Sequence, residues 1–149
     1  MDTTEATRED VLGLLARGDR TRLRQLADRI LSRIAEHGED FTVTRDPATG
    51  VLTTQVREPL AGQRFLVGDI LVTQAEVILT GTPGWGLCFG DDAASALAMA
   101  ICDAEVARSG PHAEEIRALA RETGCELREK RAAEWDRLRP TIVEFEEIA

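Results

Sequence analysis

Between Phe65 and Ala104 the chain changes its period once, and that change limits what it can fold into. Before Gly81 small and apolar residues alternate. Leu71, Thr73, Ala75, Val77 and Leu79 fall on one face, with Ile70, Val72, Gln74, Glu76 and Ile78 on the other, which is strand spacing. Past Gly81, Gly84 and Gly86, a second short run puts Trp85, Leu87 and Phe89 on one face. Gly90-Asp91-Asp92 then leads into an alanine-rich helix, expected from about Asp92 to Arg108, that is apolar or small almost all round. Such a helix is buried on most sides. A strand pair therefore feeds a buried helix. Asp103 is the odd residue in it, because a carboxylate in that company needs a hydrogen-bonded or charged partner.

The flanks read as helices before the sheet and after it. Thr7-x-x-Asp10 has the form of a helix start leading into Val11, Leu12, Leu14 and Leu15, with Gly18 as the stop. From Asp19, an N-cap, Leu23, Leu26, Ala27, Ile30, Leu31 and Ile34 recur at helical spacing until Gly38. The opposite face, with Arg22, Arg29, Arg33 and Glu36, reads as solvated. Phe41 to Thr44 and Val51 to Val56, separated by Asp46-Pro47-Ala48-Thr49-Gly50, predict a β-hairpin. Pro59 and Gly62 mark a second loop. A long polar helix starts near Ala113, with Gly124 as a point where it can bend or break, and Thr141 to Phe145 reads as a short strand or extended arm.

At 149 residues the chain is most simply one domain. No apolar run approaches the roughly 20 residues needed to cross a bilayer, and MDTTEATREDV has no apolar signal segment. A cytoplasmic location is expected, with no membrane contact. A net charge of −9 argues against a nucleic-acid surface. From Phe65 to Ala107 there are six acids and neither Lys nor Arg, so this module cannot clamp a polyphosphate with its own cations. Cys88, Cys102 and Cys125 are widely spaced, with only His37 and His112 beside them, and offer no zinc pattern. They read as small buried hydrophobes.

Candidate chemistry is sparse. The cluster Gly81-Thr82-Pro83-Gly84-Trp85-Gly86 has backbone freedom for an anion but lacks the lysine of a P-loop, which favours a turn between strands. Gly90-Asp91-Asp92 can be drawn as a Mg²⁺ site with Asp69 or Asp103, or as a glycine-permitted turn with one aspartate capping the helix. Capping is the commoner arrangement. Neither histidine stands in a pattern with a nucleophile. Trp135, in a charged helix, is poorly explained by the chain's own core and reads as a contact with another chain.

Several short motifs, in order, carry a resemblance. They are Asp46-Pro47-Ala48-Thr49-Gly50-Val51, Gly68 to Val77, Gly84-Trp85-Gly86, Gly90-Asp91-Asp92, Ala100-Ile101-Cys102-Asp103-Ala104 and Thr141-Ile142-Val143-Glu144-Phe145. Together, from about Thr7 to Phe145, they resemble the PhnG family of the bacterial carbon–phosphorus lyase system. Two positions depart from the family pattern. Asp91 stands where an arginine is frequent, and Phe145-Glu146-Glu147-Ile148 replaces a closing Phe-Phe-Thr-Met. The resemblance implies a subunit that acts with PhnI, PhnH and PhnL in displacing adenine from MgATP by a phosphonate, in a core complex with PhnJ. The product is α-D-ribose 1-phosphonate 5-triphosphate.

The sequence thus predicts one α+β domain over residues 1–149, with N-terminal helices, an antiparallel sheet of about four strands, C-terminal helices and an extended tail. Its expected role is that of a non-catalytic subunit of a ribose phosphonate triphosphate synthase, with PhnH-, PhnI-, PhnJ- and PhnL-like partners and a homo-oligomeric contact. No cofactor is expected on this chain alone, and MgATP is a substrate of the complex. Gly90, Asp91, Asp92 and Asp103 are expected to shape the sheet-to-helix corner. Trp135, Thr141, Val143 and Phe145 are expected to dock on a partner. A self-contained Mg²⁺-dependent nucleotide enzyme built on Asp91, Asp92 and Asp103, and an unrelated homo-oligomeric binding module, are the alternatives.

Overall fold

The computed structural model describes residues 6–142. Helix α1 (Arg8–Leu15) starts where the sequence places it, in a reciprocal box: the Thr7 hydroxyl accepts from the Asp10 amide and the Asp10 carboxylate accepts from the Thr7 amide. Helix α2 (Arg20–His37) is capped by Asp19, which accepts from the Thr21 and Arg22 amides, and ends at Gly38 in the left-handed region at φ 64°. Then come strands β1 (Phe41–Arg57), β2 (Arg64–Leu79) and β3 (Thr82–Phe89), helices α3 (Ala93–Ala107) and α4 (Ala113–Leu138), and a 3₁₀ turn (Arg139–Thr141).

The sheet has three antiparallel strands in the order β1-β2-β3, one fewer than expected. The predicted hairpin at Asp46 to Gly50 does not form. Residues 41–57 are one long strand paired throughout with β2, and the turn-like residues are absorbed as register shifts between Val43 and Arg45 and between Arg45 and Ala48. β1 is an edge strand, where proline costs no ladder bond if its nitrogen faces away from the partner. The chain instead reverses through the loop of residues 58–63, between β1 and β2, and again at Thr80 (φ 48°) and Gly81 (φ 79°), joining β2 to β3 through Leu79 opposite Thr82. Two consecutive positive φ values suit the right-handed twist of a hairpin.

All four helices lie to one side of the sheet, and α3 is the element that touches β1, β2 and β3 alike. The inward face of β2 carries Thr73, Ala75, Val77 and Leu79, as the alternation requires. The inward face of β3 is Gly84, Gly86 and Cys88, which leaves Trp85, Leu87 and Phe89 on the face away from the helices. The two glycines let α3 lie almost on the strand. A Cβ on Gly84 would overlap the Ala100 carbonyl oxygen, and one on Gly86 would overlap the Ala96 carbonyl oxygen. The alanine-rich face of α3 and the glycine face of β3 thus form one close-packed seam, in which every added methyl meets backbone.

Helix α4 continues through Gly124 and does not break there. Its first half is buried through Ile116, Leu119, Ala120 and Thr123, while from Cys125 onward almost every residue is exposed. Arg22 and Arg29 of α2 do more than face solvent. They pair with Glu122 and Glu115 of α4 across an open crevice of about 260 Å³ floored by Leu26 and Leu119. Among the described residues no helix is long and apolar enough to cross a membrane.

Cys88 and Cys102 are buried, as the sequence suggests, but Cys125 is exposed. Burial pushes the Cys102 thiol up to about 12, with the charges of Glu105 and Asp103 adding to it, and burial also raises the Cys88 thiol. Thiolate is the reactive form. A thiol reagent applied to the folded protein is therefore expected to modify Cys125 rapidly and to reach Cys88 and Cys102 only on unfolding. Mass spectrometry of the labelled chain reads this directly, and fast labelling of all three would contradict the packing.

Candidate functional site

The corner between β3 and α3 is built around Thr73, which sequence reasoning passed over. This side chain is 1% exposed, and its hydroxyl donates to the Gly90 carbonyl at 2.7 Å while accepting from the Asp92 amide at 3.1 Å. Gly90 takes φ 85°, open to glycine without strain, and its amide donates to the Leu71 carbonyl at 2.8 Å. The chain can then turn off the sheet edge. Asp92 caps α3 by accepting from the Ser95 amide at 3.0 Å and the Ser95 hydroxyl at 2.8 Å. Arg20 and Arg24 of α2 both reach the same carboxylate oxygen, at 2.9 and 3.1 Å. Burial alone would raise the Asp92 carboxyl, but the Ser95 bonds and the two arginines outweigh it and hold it below the usual carboxylate range.

A lowered carboxylate stabilises the fold fully above its unfolded value, about 3.9, and that contribution is lost as pH falls through the lower folded value. Acid unfolding is expected to loosen the α2–α3 junction below that range. Substituting Asp92→Asn should flatten the loss of denaturation midpoint between neutral pH and about pH 3. An identical acid profile in the variant would show that Asp92 carries none of it.

Asp91 is exposed and accepts from the Thr49 hydroxyl at 2.7 Å, which ties the corner to β1. Asp103 lies eleven residues after Asp92 on the same helix, about 16 Å along its axis. It is 1% exposed and fully engaged. Arg8 grips both its oxygens at 2.5 Å through Nε and Nη2, and the Trp85 amide donates to Oδ2 at 2.8 Å. The partner that the sequence demanded for Asp103 is thus an arginine of α1 and the free edge of β3. Arg8 also donates to the Pro83 carbonyl, and Arg20 to the Phe89 carbonyl. Both ends of the β3 edge are blocked by side chains, which protects it from pairing with another strand.

The structure therefore does not bring Asp91, Asp92 and Asp103 together. Each serves a different joint, and among the described residues no three His, Cys, Asp or Glu side chains are placed to hold a metal ion. A second buried carboxylate, Glu105, also went unread although it shares the all-round apolar helix with Asp103. It is fully buried, accepting from the Arg108 Nε at 2.6 Å and the His112 amide at 3.0 Å. Arg108 continues to Glu39, and Glu39 to Arg33 and Thr80, so one polar network fastens the α3–α4 loop to α2 and the β2–β3 turn.

Of the residues expected to dock on a partner, Trp135 stands 58% exposed on the projecting half of α4, and the Thr141 hydroxyl donates to the Leu138 carbonyl within the 3₁₀ turn. The strand expected from Thr141 is a turn at its start. Val143 and Phe145 lie outside the described residues.

Helices backing one face of a sheet, an uncovered opposite face bearing Trp85 and Phe89, and carboxylates spent on joints define an α+β domain whose conspicuous free features are surfaces. The family model described as "Phosphonate metabolism protein PhnG" matches residues 6–149. The chain belongs to the PhnG family. It is also similar to a protein of Stutzerimonas stutzeri described as "Putative C-P lyase subunit protein HtxH", with 27% identity over 107 residues, covering 64% of this chain and 28% of that protein. The matched region is thus a little over a quarter of that relative's length.

Proposed function

We propose that this chain is a structural subunit of a carbon–phosphorus lyase complex in phosphonate breakdown. It supports the step in which MgATP and a phosphonate yield α-D-ribose 1-phosphonate 5-triphosphate. The observation that carries this reading is the PhnG match over residues 6–149, and the likeness to a C-P lyase subunit protein supports it. Its partners are PhnH-, PhnI-, PhnJ- and PhnL-like subunits in the cytoplasm, with MgATP bound as substrate by the complex. The geometry fits a supporting role. The acids that a nucleotide enzyme would use are committed to Arg8, Arg20, Arg24, Ser95 and Thr49.

Reconstitution of the synthase step from purified subunits, with and without this chain, tests the proposal. Product formation is expected to need the chain and to survive Asp91→Asn, since Asp91 is here a tether for Thr49. Full activity without the chain would overturn the role. Mg·ATP binding by the isolated chain, lost in Asp91→Asn, would replace it with a catalytic one.

A further inference from the structure

The sheet does not end where β3 ends. β3 pairs with β2 from Leu79 only as far as Val72, whereas β1 and β2 continue as a bare two-stranded ribbon. Seven further pairs follow, from Val51 opposite Leu71 to Arg57 opposite Arg64, a projection of about 23 Å. A two-stranded ribbon with no third strand and no helix against it is marginal in water.

Its surface is unlike that of a solvated hairpin. On one face lie Leu52, Val56 and Phe65, a continuation of the uncovered outer face that carries Phe89 and Trp85. The other face carries Val51, Leu66 and Leu71, interrupted by Gln55 and by Thr53, whose hydroxyl donates to the Asp69 carboxylate at 2.9 Å. All six are exposed, Phe65 at 53% and Leu66 at 65%. At the far end Arg57 and Arg64 stand directly opposite one another, an arrangement that destabilises a ladder. Among the described residues no carboxylate pairs with either. Glu58, next to Arg57, is turned back onto the amides of Leu60 and Ala61 in the loop.

We infer that the ribbon from Val51 to Leu71 is an arm gripped on both faces by a cleft in a different polypeptide of the lyase assembly. The cleft has an apolar wall for Leu52, Val56 and Phe65, a mixed wall with polar groups opposite Thr53 and Asp69, and carboxylates where it receives Arg57 and Arg64. The inference rests on the assembly role proposed above. Two features select this occupant. A second copy stacked ribbon on ribbon through the Leu52, Val56 and Phe65 face covers only that side of each arm and leaves Val51, Leu66 and Leu71 in water. The unmatched arginine pair is complemented by acidic groups at the arm's end, where each desolvated arginine–carboxylate contact strengthens binding and fixes register.

Three double variants of the full chain, co-expressed with the other lyase subunits, test this: Val51→Asp with Leu66→Asp, Leu52→Asp with Phe65→Asp, and Arg57→Glu with Arg64→Glu. All six sites are remote from the α3 seam, so circular dichroism should show an intact body. Each pair is expected to lower the amount of this chain recovered on a tagged partner by about tenfold or more, the scale of an interface hot spot. Hydrogen exchange on the unaltered chain provides a readout free of mutational damage. Amides of both ribbon strands should be protected in the complex and exchange freely in the isolated chain.

Undiminished recovery of either face variant, an arm that stays unprotected in the complex, or a homodimer held through the arm would each overturn the inference while leaving the assembly role standing. Failure of the unaltered chain to join the complex would overturn both.

Discussion

Replacing Gly86 by valine is expected to abolish folding of the domain, or to cost more than about 3 kcal/mol where a folded form survives, the upper range of overpacking penalties. The reason is the backbone around the site. A Cβ at Gly86 meets the Ala96 carbonyl oxygen, with the Ala100 amide and the Met99 Cβ (2.7 Å) close behind, so no rotamer change makes room. Helix α3 would have to lift from β3, breaking the seam that also holds β2 and β1. Gly84→Val should behave the same way, since Ala100 and Ala104 close over it. Gly50→Val is the control, because a Cβ there meets nothing within 4 Å. Denaturant titration should show large losses at positions 84 and 86 and little change at 50. Wild-type midpoints for the first two would contradict the close approach of helix and strand.

Asp103→Ala is expected to cost about 2–3 kcal/mol. Removing the carboxylate strands the Trp85 amide, deprives Arg8 of its fork and frees the β3 edge at its centre. The figure stays below that for a fully buried pair because Arg8 is about half exposed and can turn back to water. Pairing with Asp103 also raises Arg8 above its ordinary value, chiefly through the side-chain hydrogen bond. The edge adds a second readout. With Asp103 and Arg8 no longer clasping it, β3 should pair with other chains, and the variant is expected to aggregate on concentration. Light scattering beside thermal melts would detect both effects, and a variant as stable and monodisperse as wild type would show that the buried carboxylate is incidental.

What the sequence showed depended on whether a signal was local. Thr7 with Asp10, Asp19 and Gly38 sit at helix ends, where the cap residue and the backbone it satisfies are neighbours in the chain, and each was readable, whereas Gly90-Asp91-Asp92 offered two aspartates for one cap and Asp92 takes it. The demand at Asp103 was readable for the same reason, since an acid among alanines is conspicuous, but its answer was not. Arg8 lies 95 residues away, and nothing local distinguishes it from the arginines of α2. Asp46-Pro47-Ala48-Thr49-Gly50 misled because turn chemistry and an edge-strand irregularity draw on the same residues, and only pairing with β2 decides between them. Thr73 is a strand threonine like its neighbours until β3 and α3 arrive above it. The ribbon's exposure was likewise hidden. Apolar alternation predicts a strand but says nothing about whether a third strand covers it.

The central claim, that this chain works as part of a lyase assembly, is tested most directly by affinity purification of the tagged protein from its own host grown on a phosphonate as sole phosphorus source. The complex is then weighed intact by native mass spectrometry. Recovery in fixed stoichiometry with PhnH-, PhnI- and PhnJ-like subunits is expected. Recovery of this chain alone or as a homo-oligomer, with those subunits expressed in the same cells, would contradict it.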